Sequence, residues 1–324
     1  MGTPVDPVPA VLQAALCAAA DSPGYPLTMG TPALRAAASG WLSRRLGAPA
    51  DTAVLPTIGS KELVALLPQL LGVRPGEEVC VPALAYPTYA VGAQLVGATV
   101  VTRPSARTRV IWLSSPSNPT GEVMAAERLA RVVAWGREHG ALVVSDECYI
   151  ELGWDAEPVS VLAPAVSGGS LEGVLAVHSL SKRSNAAGLR LGLVSGDPAV
   201  VAALLEVRKH LGLIVPAPVQ AAGVAALTDD AHVQGQRRVY SARRARLRQA
   251  VRAAGFDVEH SEAGLYLWCT RGEPCWQTVG WLASLGILVA PGEFYGEAGA
   301  RHVRVALTAT DERVQAAVER LALV

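Results

Sequence analysis

From about Val54 to Val194, short apolar runs alternate with longer stretches whose apolar positions recur at helical spacing. That alternation predicts parallel strands joined by crossover helices, an α/β fold with a mostly parallel central sheet flanked by helices. The strand candidates are Glu78 to Val81, Val110 to Leu113, Leu142 to Val144, Val174 to Val177 and Leu191 to Val194. Two helix candidates carry clear ends. Glu127 to His139 stops at Gly140, while Pro198 to Leu211 follows Asp197 as N-cap and stops before Gly212. In the second, Val200, Val201, Leu204, Leu205 and Leu211 recur at helical spacing, which predicts core scaffold without chemistry.

The Pro-rich stretch Val215-Pro-Ala-Pro218 breaks the alternation. A basic helical segment, Gln236 to Arg252, and hairpin-like pieces follow it, which predicts a second, smaller α+β domain. The expected division is an N-terminal segment 1–24, a large domain 25–214 and a small domain 215–324. Arg243, Arg244, Arg246 and Arg248 alternate with Ala and Leu, so they are read as the solvated face of an amphipathic helix.

Composition narrows the class of ligand. With 324 residues, 51% of them hydrophobic and 17% charged, the chain can bury a large core and exceed one compact unit. Lys plus Arg equals Asp plus Glu at 28 each, so nothing draws the protein electrostatically to nucleic acid or an anionic membrane. A small molecule is the expected partner. Cys17, Cys80, Cys148, Cys269 and Cys275 have neither metal-ligand spacing nor disulfide density, which fits a reducing cytoplasm. No apolar run reaches transmembrane length. Val8 to Ala20 is apolar, but the first basic residue is Arg35, so a signal peptide is not expected.

The segment His178-Ser-Leu-Ser-Lys182-Arg-Ser-Asn-Ala-Ala-Gly-Leu-Arg190 carries the most chemistry. It sets one lysine after an apolar run, in a Gly-punctuated loop, as a Schiff-base lysine is presented. An amine with an ordinary pKa near ~10.4 must lose roughly three units to act at neutral pH, about 4 kcal/mol, and neighbouring cations such as Arg183 and Arg190 favour that loss. Alone, a lysine after a strand is usually a solvated loop residue. Two further polar clusters follow strand candidates, Asn118-Pro-Thr-Gly121 and Asp146-Glu-Cys-Tyr149, where open α/β sheets bind ligands. Gly59-Ser60-Lys61 opens an apolar-periodic helix, and free N–H groups at such a terminus attract phosphate.

These parts, in this order, resemble the pyridoxal-phosphate-dependent aminotransferases of fold type I. Gly59-Ser-Lys-Glu-Leu63, Ala85-Tyr-Pro-Thr-Tyr89, Ser115-Pro-Ser-Asn-Pro-Thr-Gly121, Ser145-Asp-Glu-Cys-Tyr149, Gly153-Trp-Asp-Ala-Glu-Pro158 and Val215-Pro-Ala-Pro-Val-Gln220 are similar to the actinobacterial N-succinyldiaminopimelate aminotransferases of lysine biosynthesis. Gly264-Leu-Tyr-Leu-Trp268 and His302-Val-Arg-Val-Ala-Leu-Thr308 extend the likeness over nearly the whole chain. It implies transfer of an amino group from L-glutamate to N-succinyl-2-amino-6-oxopimelate, with pyridoxal 5'-phosphate as cofactor.

The resemblance also implies roles. Lys182 is the catalytic amine; Asp146 faces the cofactor's ring nitrogen; Asn118 and Tyr149 donate to its phenolic oxygen; Tyr86 stacks on its ring. Ser60, Lys61, Ser179 and Arg190 hold the phosphate, and Tyr25 reaches the phosphate of a neighbouring subunit, implying a homodimer with composite sites. Arg304 binds the substrate carboxylate beside Asn118, and Gly2 brings backbone close to substrate. Arg35, Arg183 and Arg271 are the candidates for distal carboxylates, each otherwise read as a surface residue.

The chain departs from the family pattern twice. Family members usually carry a further segment before the glycine matched by Gly2, so a shortened arm is expected; the link Thr102 to Arg109 is also short. The rival readings are another class I/II aminotransferase, a pyridoxal-phosphate-dependent carbon–sulfur lyase and a ligand sensor with a vestigial site. A nicotinamide-dependent oxidoreductase fits poorly, because no Gly-x-Gly-x-x-Gly follows a strand candidate.

Overall fold

A computed structural model describes residues 2–324, and among these the chain folds around two sheets, one of seven strands and one of four. Helices α1 (Ala10–Ala18) and α2 (Pro32–Leu46) precede β1 (Ala53–Ile58), α3 (Gly59–Leu70) and β2 (Glu78–Cys80). Next come α4 (Thr88–Leu95), β3 (Thr99–Val101), β4 (Thr108–Ser114), α5 (Ala126–His139), β5 (Leu142–Asp146) and the short α6 (Pro164–Ser167). Strand β6 (Val174–Ser179), the one-turn α7 (Leu180–Arg183) and β7 (Leu191–Gly196) complete the large sheet, which α8 (Pro198–His210) and α9 (Ala217–Thr228) pack against.

The strand order is β1-β7-β6-β5-β4-β2-β3. From β6 to β3 all neighbours are parallel, and β7 runs antiparallel to both of its own. The predicted α/β fold with a mostly parallel sheet is therefore present. All five strand candidates form, and four of them run on at their carboxyl ends, into Ser114, Asp146, Ser179 and Gly196. Hydrophobicity ends before the ladder does, so chemical groups occupy the last positions of β4, β5 and β6.

Side chains alternate between the two faces, as strand geometry requires. In β4, Ile111 and Leu113 join Leu34, Trp41 and Leu42 on one side, while Val110 and Trp112 join Leu63, Leu67 and Tyr89 on the other. Helix ends follow their sequence signals. The Asp197 carboxylate accepts from the Ala199 and Val200 N–H groups at 2.9 and 3.3 Å, and Gly140 closes α5 in the left-handed conformation at φ 66°. Leu211 is the exception to the predicted scaffold face: it lies at the C-cap of α8 and is exposed.

The second layer begins with α10 (Ala231–Ala253), followed by β8 (Asp257–Glu259), β9 (Tyr266–Thr270) and α11 (Cys275–Ser284). Strands β10 (Ala290–Pro291) and β11 (His302–Ala306) and helix α12 (Asp311–Leu321) complete it, with β10-β11-β9-β8 all antiparallel. Helix α9, which starts inside the Pro-rich break, buries Ala222, Ala226 and Leu227 in the first layer's core against α1 and α2.

The expected solvated arginine face on α10 is corrected by this layer. Arg243 and Arg244 are buried: Arg243 pairs with Asp6 and Asp311, and Arg244 with Asp155. Sequence spacing places charges on a helix face, but only packing decides whether acids from other segments cover that face.

Candidate active site

The three strand ends bring separate chemistries to one edge of the large sheet. At the end of β5, Asp146 is buried, with Oδ2 accepting from the Tyr89 hydroxyl at 2.7 Å and Oδ1 from the Cys148 N–H at 3.2 Å. Tyr89 lies under Tyr86, ring centroids 5.8 Å apart and edge-on, and stacks on Trp112 at 4.8 Å. Burial first, and the Asp146 charge second, push the Tyr89 phenol well above its ordinary pKa, so it stays a donor. Asp146 thus presents a carboxylate on a rigid aromatic floor.

A cradle for an anion lies beside it. Helix α3 starts at Gly59, and the first-turn N–H groups of this twelve-residue helix have no capping side chain among the described residues. Gly59 has φ 68°, and a Cβ there would stand 2.2 Å from the Arg190 guanidinium, so only glycine lets that cation lie against the helix start. Arg190 itself is left-handed at φ 56°, an uncommon conformation for a residue with a side chain, and is held by its own bond to the Ala187 carbonyl at 2.9 Å. The Ser60 hydroxyl meets the Cys148 thiol at 3.4 Å, which ties the helix start to the loop after Asp146. Burial, followed by the Asp146 charge, raises the Cys148 pKa strongly, so the sulfur remains a neutral thiol. Ser179 caps α7, accepting from the Ser181 N–H at 3.2 Å, and leaves its hydroxyl proton free to donate.

Lys182 sits in α7, half-buried, and donates from Nζ to the Gly2 carbonyl at 2.5 Å. A Cβ on Gly2 would overlap the Tyr266 hydroxyl at 2.1 Å, so the amino-terminal backbone passes between Lys182 and Tyr266. The Tyr266 hydroxyl is 3.0 Å from that of Tyr149, and its ring centroid lies 3.8 Å from the Arg304 guanidinium. Arg304 is also 4.8 Å from the Tyr295 ring and donates from Nη1 to Asn118 Oδ1 at 2.6 Å. Its buried Nε faces no acceptor among the described residues. The result is an aromatic-walled guanidinium with spare donors, a form suited to a carboxylate. Burial, and next its neighbour Tyr266, raise the Tyr149 pKa, leaving this phenol protonated as well.

Most residues expected from sequence therefore converge. Asn118, Arg304, Tyr149, Gly2 and Lys182 form one chain of contacts through Tyr266; Asp146, Ser60 and Tyr86 form another through Tyr89 and Cys148. The Lys61 ammonium stands 5.5 Å over the Tyr86 ring, at the exposed rim. Tyr25 joins neither group: it is 97% exposed on its own chain.

The guesses for distal carboxylates fall away. Arg183 is buried and committed to Glu151, Asp230 and the Ala226 carbonyl. Arg271 stacks on Trp281 at 4.1 Å beside Glu273, and Arg35 lines a separate open depression of about 420 Å³ with Met29, Ser39 and Thr52. An arginine's sequence position says nothing of which acid or ring packing will hand it.

Tyr89, Tyr266 and Tyr295 were missed as site residues. Tyr86 and Tyr89 lie three apart at the start of a helix, a signal for adjacency. Tyr266 stands between Leu265 and Leu267 in a strand, where alternation marks it only as facing the other way.

Comparison with known proteins shows the family. The family model described as "Aminotransferase class I and II" matches residues 2–321. The chain is 61% identical to the Streptomyces rimosus 4-dedimethylamino-4-oxo-anhydrotetracycline transaminase OxyQ, over 99% of this chain and 91% of that protein. It is 59% identical to the probable aminotransferase Rv1178 of Mycobacterium tuberculosis, over 99% of this chain and 79% of the relative. Among solved structures, a probable N-succinyldiaminopimelate aminotransferase from Thermus thermophilus superposes with a TM-score of 0.89 at 28% identity, covering 99% of this chain and 92% of that one.

Proposed function

The chain belongs to the class I and II aminotransferases and is a pyridoxal-phosphate-dependent transaminase, and from that premise we propose that it moves an amino group from L-glutamate to N-succinyl-2-amino-6-oxopimelate. The observation that carries the reading is the contact between Arg304 and Asn118, which sets a carboxylate-binding fork in the same cluster as the Lys182 amine. Donor and acceptor both bring an α-carboxylate to that fork. The likeness to the Thermus protein supports the choice of acceptor.

The residues present fit the cofactor. Arg190, Ser60, Ser179 and the α3 N-terminus would hold its phosphate, where the space left by the missing Gly59 Cβ lets guanidinium and helix start meet. Asp146 would pair with the ring nitrogen, Tyr86 would cover the ring face, and Asn118 with Tyr149 would donate to the phenolic oxygen. When bound, the cofactor supplies an electron sink for the pair left at the substrate's α-carbon.

The protein's own work is positioning and proton handling. With the cofactor bound, the Lys182 amine would take up the proton from the substrate's α-carbon at Nζ and then return it, as general base and then acid. Arg304 fixes the carboxylate, and its tyrosine walls exclude water from the charged contact, which strengthens it. Tyr89 keeps Asp146 in place. Tyr25, exposed on its own chain, is assigned to the phosphate site of a second copy in a homodimer.

The relative named for 4-dedimethylamino-4-oxo-anhydrotetracycline favours a second reading, in which the acceptor is a 4-oxo-anhydrotetracycline. A screen of keto acceptors with glutamate as donor, followed by the cofactor's visible absorbance, separates the two. Turnover with N-succinyl-2-amino-6-oxopimelate above all other acceptors is expected, and loss of turnover in Lys182→Ala. Preference for the tetracycline ketone transfers the assignment to the second reading, and full turnover in Lys182→Ala ends both.

A further inference from the structure

Residues 2–6 tie the site to the second layer. Gly2 lies between Lys182 and Tyr266, and four residues on, Asp6 is gripped by α10. Its two carboxylate oxygens accept from Arg243 Nη2 and Nη1, each at 2.7 Å, and Oδ2 also accepts from Gln236 Nε2 at 2.7 Å. The Arg243 side chain is 3% exposed, with Nε held by Asp311 Oδ1 at 2.7 Å and its guanidinium 5.8 Å from the Tyr240 ring. Helices α10 and α12 thus hold the guanidinium that Asp6 meets.

We propose that Asp6 is a positioning residue for Lys182: its ion pair with Arg243 sets the reach of residues 2–6 and so holds the Gly2 carbonyl against the amine. This rests on the reading of Lys182 as the reactive amine. Four residues span at most about 14 Å, so a fork clamped at Asp6 limits how far the Gly2 carbonyl can stray from the amine. A buried ion pair is a weak device for stability and a good one for fixing geometry, because both partners must be oriented to satisfy it. Neither residue touches the amine. What Asp6 controls is where an acceptor for the lysine proton stands while the amine is not bonded to carbon, an alignment to which turnover is sensitive.

The test joins NMR backbone order parameters of cofactor-free protein to steady-state kinetics of the holoenzyme with glutamate. In Asp6→Asn, the order parameters of Thr3 and Val5 should fall from about 0.85 to below about 0.6 while those of α10 and α12 are unchanged. The kcat should fall about tenfold with KM for glutamate changed less than about twofold, and Asp6→Glu, which keeps the charge, should recover most of it. Gln236→Leu removes one contact without stranding a charge and should show the same pattern at about threefold, which covers misfolding of Asp6→Asn. Unchanged order parameters at Thr3 and Val5 overturn the proposal, as does unchanged kcat despite lower order parameters, or Asp6→Glu as impaired as Asp6→Asn. Order parameters are read without cofactor or turnover, so they judge the clamp even where the acceptor screen fails.

Discussion

Tyr89 and Asp146, 57 positions apart, meet across a 2.7 Å hydrogen bond from phenol to carboxylate in the buried floor of the site. The bond joins the start of α4 to the end of β5. Replacing Tyr89 with Phe leaves one oxygen of a buried carboxylate without its donor, a loss of about 1–3 kcal/mol. Cofactor affinity and kcat/KM for glutamate should each fall about tenfold and the melting temperature by about 2 to 4 °C; Tyr89→Leu, which also loses the stack on Trp112, should melt lower still. Absorbance titration with the cofactor and thermal melts measure these.

Gly59→Ala tests the anion cradle. The substitution forces a side chain onto φ 68° and against the Arg190 guanidinium at 2.2 Å. Arg190 is the far end of a flexible side chain and gives way, so the protein should fold but lose the cation from the helix start. Strain of about 1–3 kcal/mol at the backbone adds to that loss, and cofactor should dissociate at least about tenfold more readily. A dissociation constant unchanged from wild type would exclude the cradle as the phosphate site.

Arg304→Lys keeps the charge and removes the planar fork. Losing one charge-assisted bond costs about 1.5–3 kcal/mol, so kcat/KM for glutamate should drop about 10- to 100-fold. An acceptor lacking an α-carboxylate should be affected far less, and comparing the two half-reactions gives the answer.

Acid sensitivity should trace to the carboxylates clamped by α10. Burial alone would raise the pKa of Asp155, but the Arg244 guanidinium and then Arg248 hold it below the ordinary 3.8. A depressed folded-state pKa gives stability that is full above about pH 4 and drains away as pH falls below it. Asp155→Asn should therefore melt about 2 °C lower than wild type at pH 6, the modest effect of a half-exposed pair, with the gap closing towards pH 2. A gap that widens on acidification would contradict this assignment.

The periodicities were enough for most of the large sheet. Five of its strands, the helices ending at Gly140 and starting at Asp197, and the helix opening at Gly59 all follow from local physics, because strand alternation and cap chemistry act over a few residues. The chemical groups at strand ends were legible for the same reason. Asp146 ends β5, Asn118 and Lys182 follow closely on the ends of β4 and β6, and Ser60 opens α3, places the pattern marks.

What joins those groups was not legible. Tyr266 lies between Gly2, Tyr149 and Arg304, which are separated from it by 264, 117 and 38 positions, and nothing in its own neighbourhood distinguishes it from a strand tyrosine. The fate of the arginines was hidden too: Arg183 and Arg243 became buried partners of distant acids, while Arg304 kept a nitrogen without an acceptor among the described residues. The sequence alone determined where backbone bonding begins and ends, since those energies are local. Tertiary structure alone decided which charges are spent on one another and which are left for a ligand, since that depends on segments brought together only by burial of the core.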